Sequence, residues 1–217
     1  MTHPILPLSW RPLFDDVSFC VGKSNTRAFQ WIQIETWPHL HVNIYGPDGS
    51  GKTHLGALWA RKHRGVWLPC PHASFVHAQG RYILDNISHP VNEEEVLLFL
   101  EEVHRKKAQC LWLSHVPMHS GNMCPALHSR LTSFLCVEIQ EPDDTLLIEV
   151  LKKAFRDIGL IACPQVLEFL IKRMERSFSG IRDTVDRIHQ YISEHQVNLT
   201  IPTVKIALDW KKSLFII

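Results

Sequence analysis

Residues 46–53 read Gly-Pro-Asp-Gly-Ser-Gly-Lys-Thr, in which Gly46, Gly51, Lys52 and Thr53 satisfy the pattern G-x-x-x-x-G-K-[ST]. Each residue type has a task in holding a polyphosphate. Gly49 and Gly51 let the backbone turn until successive amides face inward as an anion nest, and a helix beginning at Lys52 adds its positive end. Lys52 reaches the outer phosphates, and Thr53 offers a hydroxyl to magnesium. Further along, Arg-Tyr-Ile-Leu-Asp-Asn at 81–86 delivers Asp85 from a short apolar strand to the second metal-holding position. Asn86 follows where a nucleotide hydrolase usually has another acidic residue. An amide has no ionisable oxygen and cannot act as a general base toward water, so intrinsic hydrolysis is expected to be slow.

These groups need a scaffold that brings loop and carboxylate together. From residue 41 to about 139, short apolar runs alternate with helix-like stretches: His41–Tyr45, the run 65–69, Arg81–Asp85, the run around 110–114 and the run 134–139. That rhythm predicts parallel strands joined by crossover helices. The segment 92–107 starts acidic and ends basic, with Glu101 and Arg105, and Glu102 and Lys106, at i,i+4 spacing, and reads as a solvated crossover helix. Beyond 140–144 the pattern is helical only. Leu146, Leu147, Val150, Leu151, Ala154, Phe155 and Ile158 share one helix face. Pro164 suits the first turn of a second helix, Gly180 is expected to separate that helix from a third, and Pro202 opens a last short one. The expected organisation is an N-terminal tail (1–12), an α/β base (13–139) and a small all-helical lid (140–217).

Composition narrows the classes. A 45% hydrophobic and 21% charged chain of 217 residues has the balance of a globular protein. No apolar run approaches the roughly 18 residues of a membrane span, and the N-terminus has neither a basic lead nor a continuous apolar stretch, so a cytoplasmic location without membrane contact is expected. The six cysteines include no CxxC pair, which speaks against a zinc ribbon or disulfide framework, and the 14 histidines supply no second ligand pair near Cys70, His72 and His77. Up to residue 139 there are 12 basic and 11 acidic residues, and beyond it 11 of each. Neither half carries the cationic surplus that duplex binding requires, so direct sequence-specific DNA binding is not expected.

Taken in order, several segments resemble the DnaA-type AAA+ ATPases, and within them the Hda group, regulatory inactivators of DnaA, most closely the alphaproteobacterial form. The segments are an entry stretch at 14–25, the phosphate loop with its helix, Leu-His-Ser-Arg-Leu at 127–131, Ser-Phe-Ser-Gly-Ile-Arg at 177–182 and Asn-Leu-Thr-Ile-Pro-Thr at 198–203. The resemblance implies an AAA+ P-loop base with a parallel five-stranded sheet, followed by the helical lid. It implies Val21 and Gly22 beside the adenine, Lys52 and Thr53 on phosphate and magnesium with Asp85, and Ser114 as a first polar sensor. Arg182 would reach from the lid to a bound ADP or ATP, and Arg130 would act as an arginine finger on a neighbour's nucleotide. On the residues alone, Ser114 reads equally as a strand-end hydroxyl capping a loop, while the alternatives for Arg182 and Arg130 are an ordinary first-turn helix charge and a surface arginine.

Hda-like proteins carry a clamp-binding peptide of the form Gln-Leu-x-Leu-Pro-Leu near the N-terminus. Here residues 3–8 read His-Pro-Ile-Leu-Pro-Leu, so Leu6, Pro7 and Leu8 match while His3 and Pro4 replace the Gln and the first Leu. The implied partners are the DnaA initiator and the DNA polymerase sliding clamp, with a homo-oligomer also open. An initiator is expected to continue past the lid into a helix-turn-helix domain, whereas this sequence ends Lys-Lys-Ser-Leu-Phe-Ile-Ile. The implied function is stimulation, with DNA-loaded clamp, of the hydrolysis of ATP held by DnaA. The rivals are a helicase-loader or transposition-helper ATPase and a non-catalytic tethering adaptor.

Overall fold

The computed structural model describes residues 19–86 and 92–209. The described residues divide into two compact units, Val21–Leu146 and a second that holds residues 147–209 with Phe19 and Cys20. In the first unit the elements follow the order α1 (Thr26–Gln33), β1 (His41–Tyr45), α2 (Lys52–His63), β2 (Val66–Leu68), β3 (Arg81–Asp85), α3 (Glu93–Arg105), β4 (Gln109–Ser114), α4 (Pro125–Thr132) and β5 (Leu135–Glu138). The five strands form one sheet in the order β2-β3-β4-β1-β5, and every neighbouring pair is parallel.

Alternation along the strands explains why both faces are covered. Tyr82 and Leu84 of β3 and Cys110 and Trp112 of β4 pack with Val96, Phe99, Leu100 and Val103 of α3 and with Leu127 and Leu131 of α4. The intervening Ile83, Leu111 and Leu113 face the other way and are fully buried. On that side α2 approaches so closely that a Cβ on Gly56 would stand 2.8 Å from the Leu113 side chain. The Trp59 ring of α2 stacks on Trp37 with centroids 4.8 Å apart.

The crossover helix α3 is capped by Asn92, whose side chain accepts from the amides of Glu94 and Glu95. Of its two expected surface pairs, Glu102 with Lys106 forms and Glu101 with Arg105 does not. Arg105 turns to Glu102 rather than Glu101, at 2.7 Å, and Lys106 joins the same carboxylate at 3.0 Å. Two donors on one carboxyl, Arg105 first, hold its pKa down to about 2.

The second unit is built from α5 (Asp144–Asp157, whose first turn lies in the first unit), α6 (Pro164–Ile171), α7 (Phe178–His195) and α8 (Ile201–Ala207). Leu147, Leu151, Phe155, Leu170, Ile181, Val185, Ile188 and Val204 make its core. Gly180 does not separate two helices as expected. It lies buried in the first turn of α7, where a Cβ would stand 2.6 Å from the Glu175 carbonyl. The break comes earlier, where α6 ends at Ile171 and Ser177 caps α7. Close packing, not chain reversal, is the reason for this glycine.

Candidate functional site

Because β4 lies between β1 and β3, the segments leaving these three strands are neighbours along the carboxyl edge of the sheet. Connectivity reverses at β1, and the crevice outside such a switch point is where open α/β sheets take ligands. Gly46 leaves β1 buried against Ile139, whose carbonyl a Cβ would strike, and its amide donates to the Ser114 carbonyl at 3.2 Å. Gly49 (φ 65°) and Gly51 (φ 93°) both take the left-handed region that glycine enters without strain. Helix α2 then begins at Gly51 with no capping side chain and no acidic residue in its first turn. Its leading amides are left for an anion.

Lys52 is buried, and its ammonium donates to the carbonyls of Gly46 and Pro47, both at 2.8 Å. Burial pushes its pKa below the ordinary value, while Asp48 and Asp85 act in the opposite direction. An ammonium held on neutral carbonyls gains by exchanging them for phosphate oxygens, because charge-assisted bonds are the stronger kind. Thr53 Oγ1 donates to Asp85 Oδ2 at 2.7 Å, so the motif hydroxyl and the strand-end carboxylate stand side by side. The Ser50 hydroxyl is buried with no hydrogen-bond partner among the described residues. Orphan hydroxyl, left-handed glycines, uncapped helix start and hydroxyl–carboxylate pair fit a nucleoside polyphosphate with magnesium. Lys52, Thr53 and Asp85 would hold them, and the bound ion would draw negative charge from the phosphate oxygens.

Ser114 ends β4 fully enclosed. Its hydroxyl donates to the Val116 carbonyl at 2.6 Å and accepts from Asn43 Nδ2 at 2.9 Å. Asn43 has no exposed surface. It also donates to the Trp112 carbonyl and accepts from the Met118 amide, at 3.2 and 2.9 Å. Asn43 thus fastens β1, β4 and the loop after β4 to one another. Sequence reasoning passed over it, although an amide inside the apolar run His-Val-Asn-Ile-Tyr is the signal of a buried polar tie. It also passed over His115, an exposed imidazole 3.2 Å from Asp48 Oδ1 and 3.1 Å from Asn86 Oδ1.

Among the other expected residues, Gly22 receives the Asn25 side chain on its amide at 2.8 Å and packs against Leu146, and Val21 beside it is exposed. Arg130 is exposed on α4, on the flank beside the buried Leu127 and Leu131, and forms no ion pair among the described residues. Arg182 lies on an exposed face of α7, where its charge helps keep down the pKa of Asp186, which burial raises. Arg182 belongs to the second unit. Leu6, Pro7 and Leu8 lie outside the described residues.

Comparison with known proteins adds a frame. The chain covers 92% of itself and 97% of domain III of the Thermotoga maritima replication initiation protein DnaA, with a TM-score of 0.74 and 16% identity. The chain shares the fold of that DnaA domain. DnaA from Aquifex aeolicus, solved with AMPPCP bound, matches 94% of this chain over 84% of its own, with a TM-score of 0.61 and 16% identity. The Thermotoga maritima RuvB Holliday junction branch-migration motor has a similar fold, with a TM-score of 0.67 and 16% identity over 88% of this chain and 70% of its own. In sequence, the chain is 26% identical to an uncharacterised protein of Haemophilus influenzae over 76% of its length and 80% of that protein. It is 23% identical to the chromosomal replication initiator DnaA of Aliarcobacter butzleri over 89% of its length, and spans about half (51%) of that initiator. No family model matches the chain. No described helix is long and apolar enough to cross a membrane.

Proposed function

We propose that the protein is a nucleotide-binding AAA+ regulator of replication initiation of the Hda kind, which holds ADP or ATP with magnesium and promotes hydrolysis of ATP held by the initiator DnaA. The observation that carries the reading is the pairing of a formed phosphate loop with an amide where a base belongs. Lys52 and the Thr53–Asp85 pair are arranged to hold a nucleotide, while Asn86, with φ 55°, follows Asp85 without an ionisable oxygen. A site with holding groups and no base suits retention of nucleotide over turnover. In this reading Val21 and Gly22 border the base of the nucleotide and Arg182 reaches it from the helical unit. Leu6, Pro7 and Leu8 engage the sliding clamp. Arg130, exposed on α4, acts on the nucleotide of a neighbouring DnaA.

An arginine presented to a phosphoryl group in transfer raises its rate by about 10³ to 10⁵, and lysine lacks the planar fork that engages two oxygens at once. Single-turnover hydrolysis of DnaA-bound ATP in the presence of clamp loaded on DNA is therefore the test. Both Arg130→Ala and Arg130→Lys are expected to lose most of the stimulation while still binding ADP. Full stimulation by Arg130→Ala would favour the tethering adaptor. Turnover of ATP by this protein alone on single-stranded DNA would favour the helicase-loader class.

A further inference from the structure

The connection from β2 to β3, residues 69–80, leaves part of the sheet uncovered. Parallel neighbours are ordinarily joined through a helix that packs on one face of both strands, but this connection holds one turn of 3₁₀ helix, Ala73–Phe75. It is nevertheless fixed in place. Val76 is buried in the core beside α3, and Lys106 Nζ donates to its carbonyl at 2.5 Å. The Gln79 amide donates to the Lys106 carbonyl at 2.9 Å, and the His77 amide to the Tyr82 hydroxyl at 2.6 Å. So short a turn does not cover β2. Val66, paired with Tyr82 and on the same face, is 54% exposed, and Phe75 is 38% exposed. A cleft of about 700 Å³ lies open there, with Leu68 and Tyr82 also among its walls.

β2 ends the sheet order, and among the described residues no backbone hydrogen bond reaches its outer side. An edge of this kind offers main-chain donors and acceptors to an extended segment laid beside it. Apolar surface flanks the edge on both faces, Val66 toward the cleft and Trp67, 40% exposed, on the side of α2. Charge adds a preference. Arg81, which also lines the cleft, is taken: its guanidinium donates to the Glu35 carboxylate and to the carbonyls of Glu35 and His63. Arg64 lines the cleft with no ion pair among the described residues. Its backbone is left-handed, with φ 57°, a conformation that suits glycine. The glycine stands one residue later, where a Cβ would come within 2.8 Å of the Trp59 ring. An arginine kept where the backbone favours glycine, beside an open cleft, points to a task for its side chain. A small-molecule site hides most of its ligand, whereas Arg64, Val66, Phe75 and Gln79 leave this cleft open to solvent. One free cation is also too few for a phosphodiester backbone, which is tracked by a positively charged groove.

We propose that the edge of β2 is the docking site for an extended segment of a partner protein, one that alternates apolar and polar residues and carries a carboxylate. The segment adds to the sheet as a sixth strand beside β2. Its apolar side chains enter the cleft against Val66, Phe75 and Tyr82, and its carboxylate meets Arg64. The cleft lies toward the amino ends of β2 and β3, whereas the phosphate loop leaves the carboxyl end of β1. Docking here draws on none of the nucleotide-holding residues.

The experiment uses the full chain and two fluorescently labelled peptides, Glu-Thr-Val-Thr-Val-Thr-Glu and Gln-Thr-Val-Thr-Val-Thr-Gln. The first sets valines on one face and a carboxylate at each end of that face, so either strand direction is served. It is expected to bind saturably by fluorescence anisotropy and to slow amide hydrogen exchange in Val66–Leu68. The glutamine peptide should bind about fivefold more weakly. That difference should disappear in Arg64→Gln and in Arg64→Gly, and Arg64→Gly should unfold no earlier than wild type in urea, because glycine suits the left-handed backbone. No saturable binding, binding that leaves exchange in Val66–Leu68 unchanged, equal affinities of wild type for the two peptides, or a difference that survives loss of Arg64 would each overturn the proposal. So would a labelled oligothymidylate that binds wild type more tightly than the peptide and loses that affinity in Arg64→Gln, which would mark a nucleic-acid site. Light scattering that gives a dimer dispersed by Val66→Glu would overturn it in favour of a second copy on the edge.

Discussion

Helices α2 and α7 both begin next to a serine, and the two starts are finished in opposite ways. At α7 the Ser177 hydroxyl accepts the Gly180 amide at 2.9 Å, and at α8 Thr200 does the same for Thr203. At α2 the cap is Gly51, which has no side chain to offer, and the neighbouring Ser50 hydroxyl is buried without a partner among the described residues. The starts of α7 and α8 close on their own hydroxyls, whereas the start of α2 leaves its leading amides and a buried hydroxyl open. A buried polar group left open costs stability unless something outside the chain completes it. Substitutions should therefore separate cleanly: changes in the helical unit appear in unfolding, and changes at the loop appear in ligand affinity.

The largest effect on stability is expected from Leu170→Ala. This side chain is fully buried in the helical core, and truncation leaves a cavity worth about 3 kcal/mol, read as a lower midpoint in urea. Lys52→Ala should do the reverse. Loss of a charge-assisted contact to phosphate costs about 1.5–3 kcal/mol, or at least tenfold in ADP affinity by calorimetry. In the absence of nucleotide its unfolding free energy should not fall, because burial already penalises the ammonium. A Lys52→Ala protein that unfolds earlier yet binds ADP normally would erase the contrast.

A smaller effect sharpens the comparison within the base. His41 is stacked on Phe134 and accepts the Trp112 indole N–H on Nδ1, and burial, helped by His104, pushes its pKa down to about 3. Above pH 6.5 the ring is neutral in both folded and unfolded chain. As pH falls, the unfolded chain takes up a proton that the folded protein refuses, so stability drops through the window from about 6.5 to about 3. Between pH 7 and pH 5 the loss is about 2 kcal/mol from this group. His41→Gln, which keeps an acceptor for Trp112, should have a flatter profile than wild type over that interval.

The smallest predicted difference is the most direct. Ser177→Ala removes a working cap and should cost about 1 kcal/mol. Ser50→Ala removes an orphan hydroxyl and should leave the nucleotide-free protein as stable as before or slightly more so, while weakening nucleotide binding. Equal destabilisation by the two changes in urea would mean that Ser50 is an ordinary structural serine.

What could be read from the sequence, and what could not, follows from how locally each feature is encoded. The phosphate loop is legible because its backbone demands glycine at fixed offsets and its chemistry demands Lys52 and Thr53 in sequence. The five strands are legible because apolar runs of strand length, with turns between them, have few other uses. Gly180 misled because a glycine required by the approach of Glu175 looks, in one dimension, like a glycine required by a turn. The Arg105 partner was misassigned because i,i+3 and i,i+4 neighbours are both within reach on a helix. His115 and Asn43 were missed for a deeper reason. Their meaning lies in partners on other strands or in the segments leaving them, Asn86 and Asp48 for one, Trp112, Ser114 and Met118 for the other, and only the parallel register of β1, β3 and β4 brings these together.

The central strand carries a consequence for the order in which the molecule can form. β1 is at residues 41–45, but both of its neighbours come late, β4 at 109–114 and β5 at 135–138. Contacts this distant in sequence close slowly, because loop entropy is lost before any pairing compensates it. At synthesis rates of about 5–20 residues per second, the strand leading into the phosphate loop waits roughly 5–20 seconds between its own appearance and that of its last partner. Until residue 114 is made the loop has no Ser114 carbonyl to anchor Gly46, and until β5 is made Asp85 has no finished sheet across which to face Thr53. A nascent chain shorter than about 140 residues carries the whole phosphate-loop motif in its sequence and should still be unable to retain nucleotide.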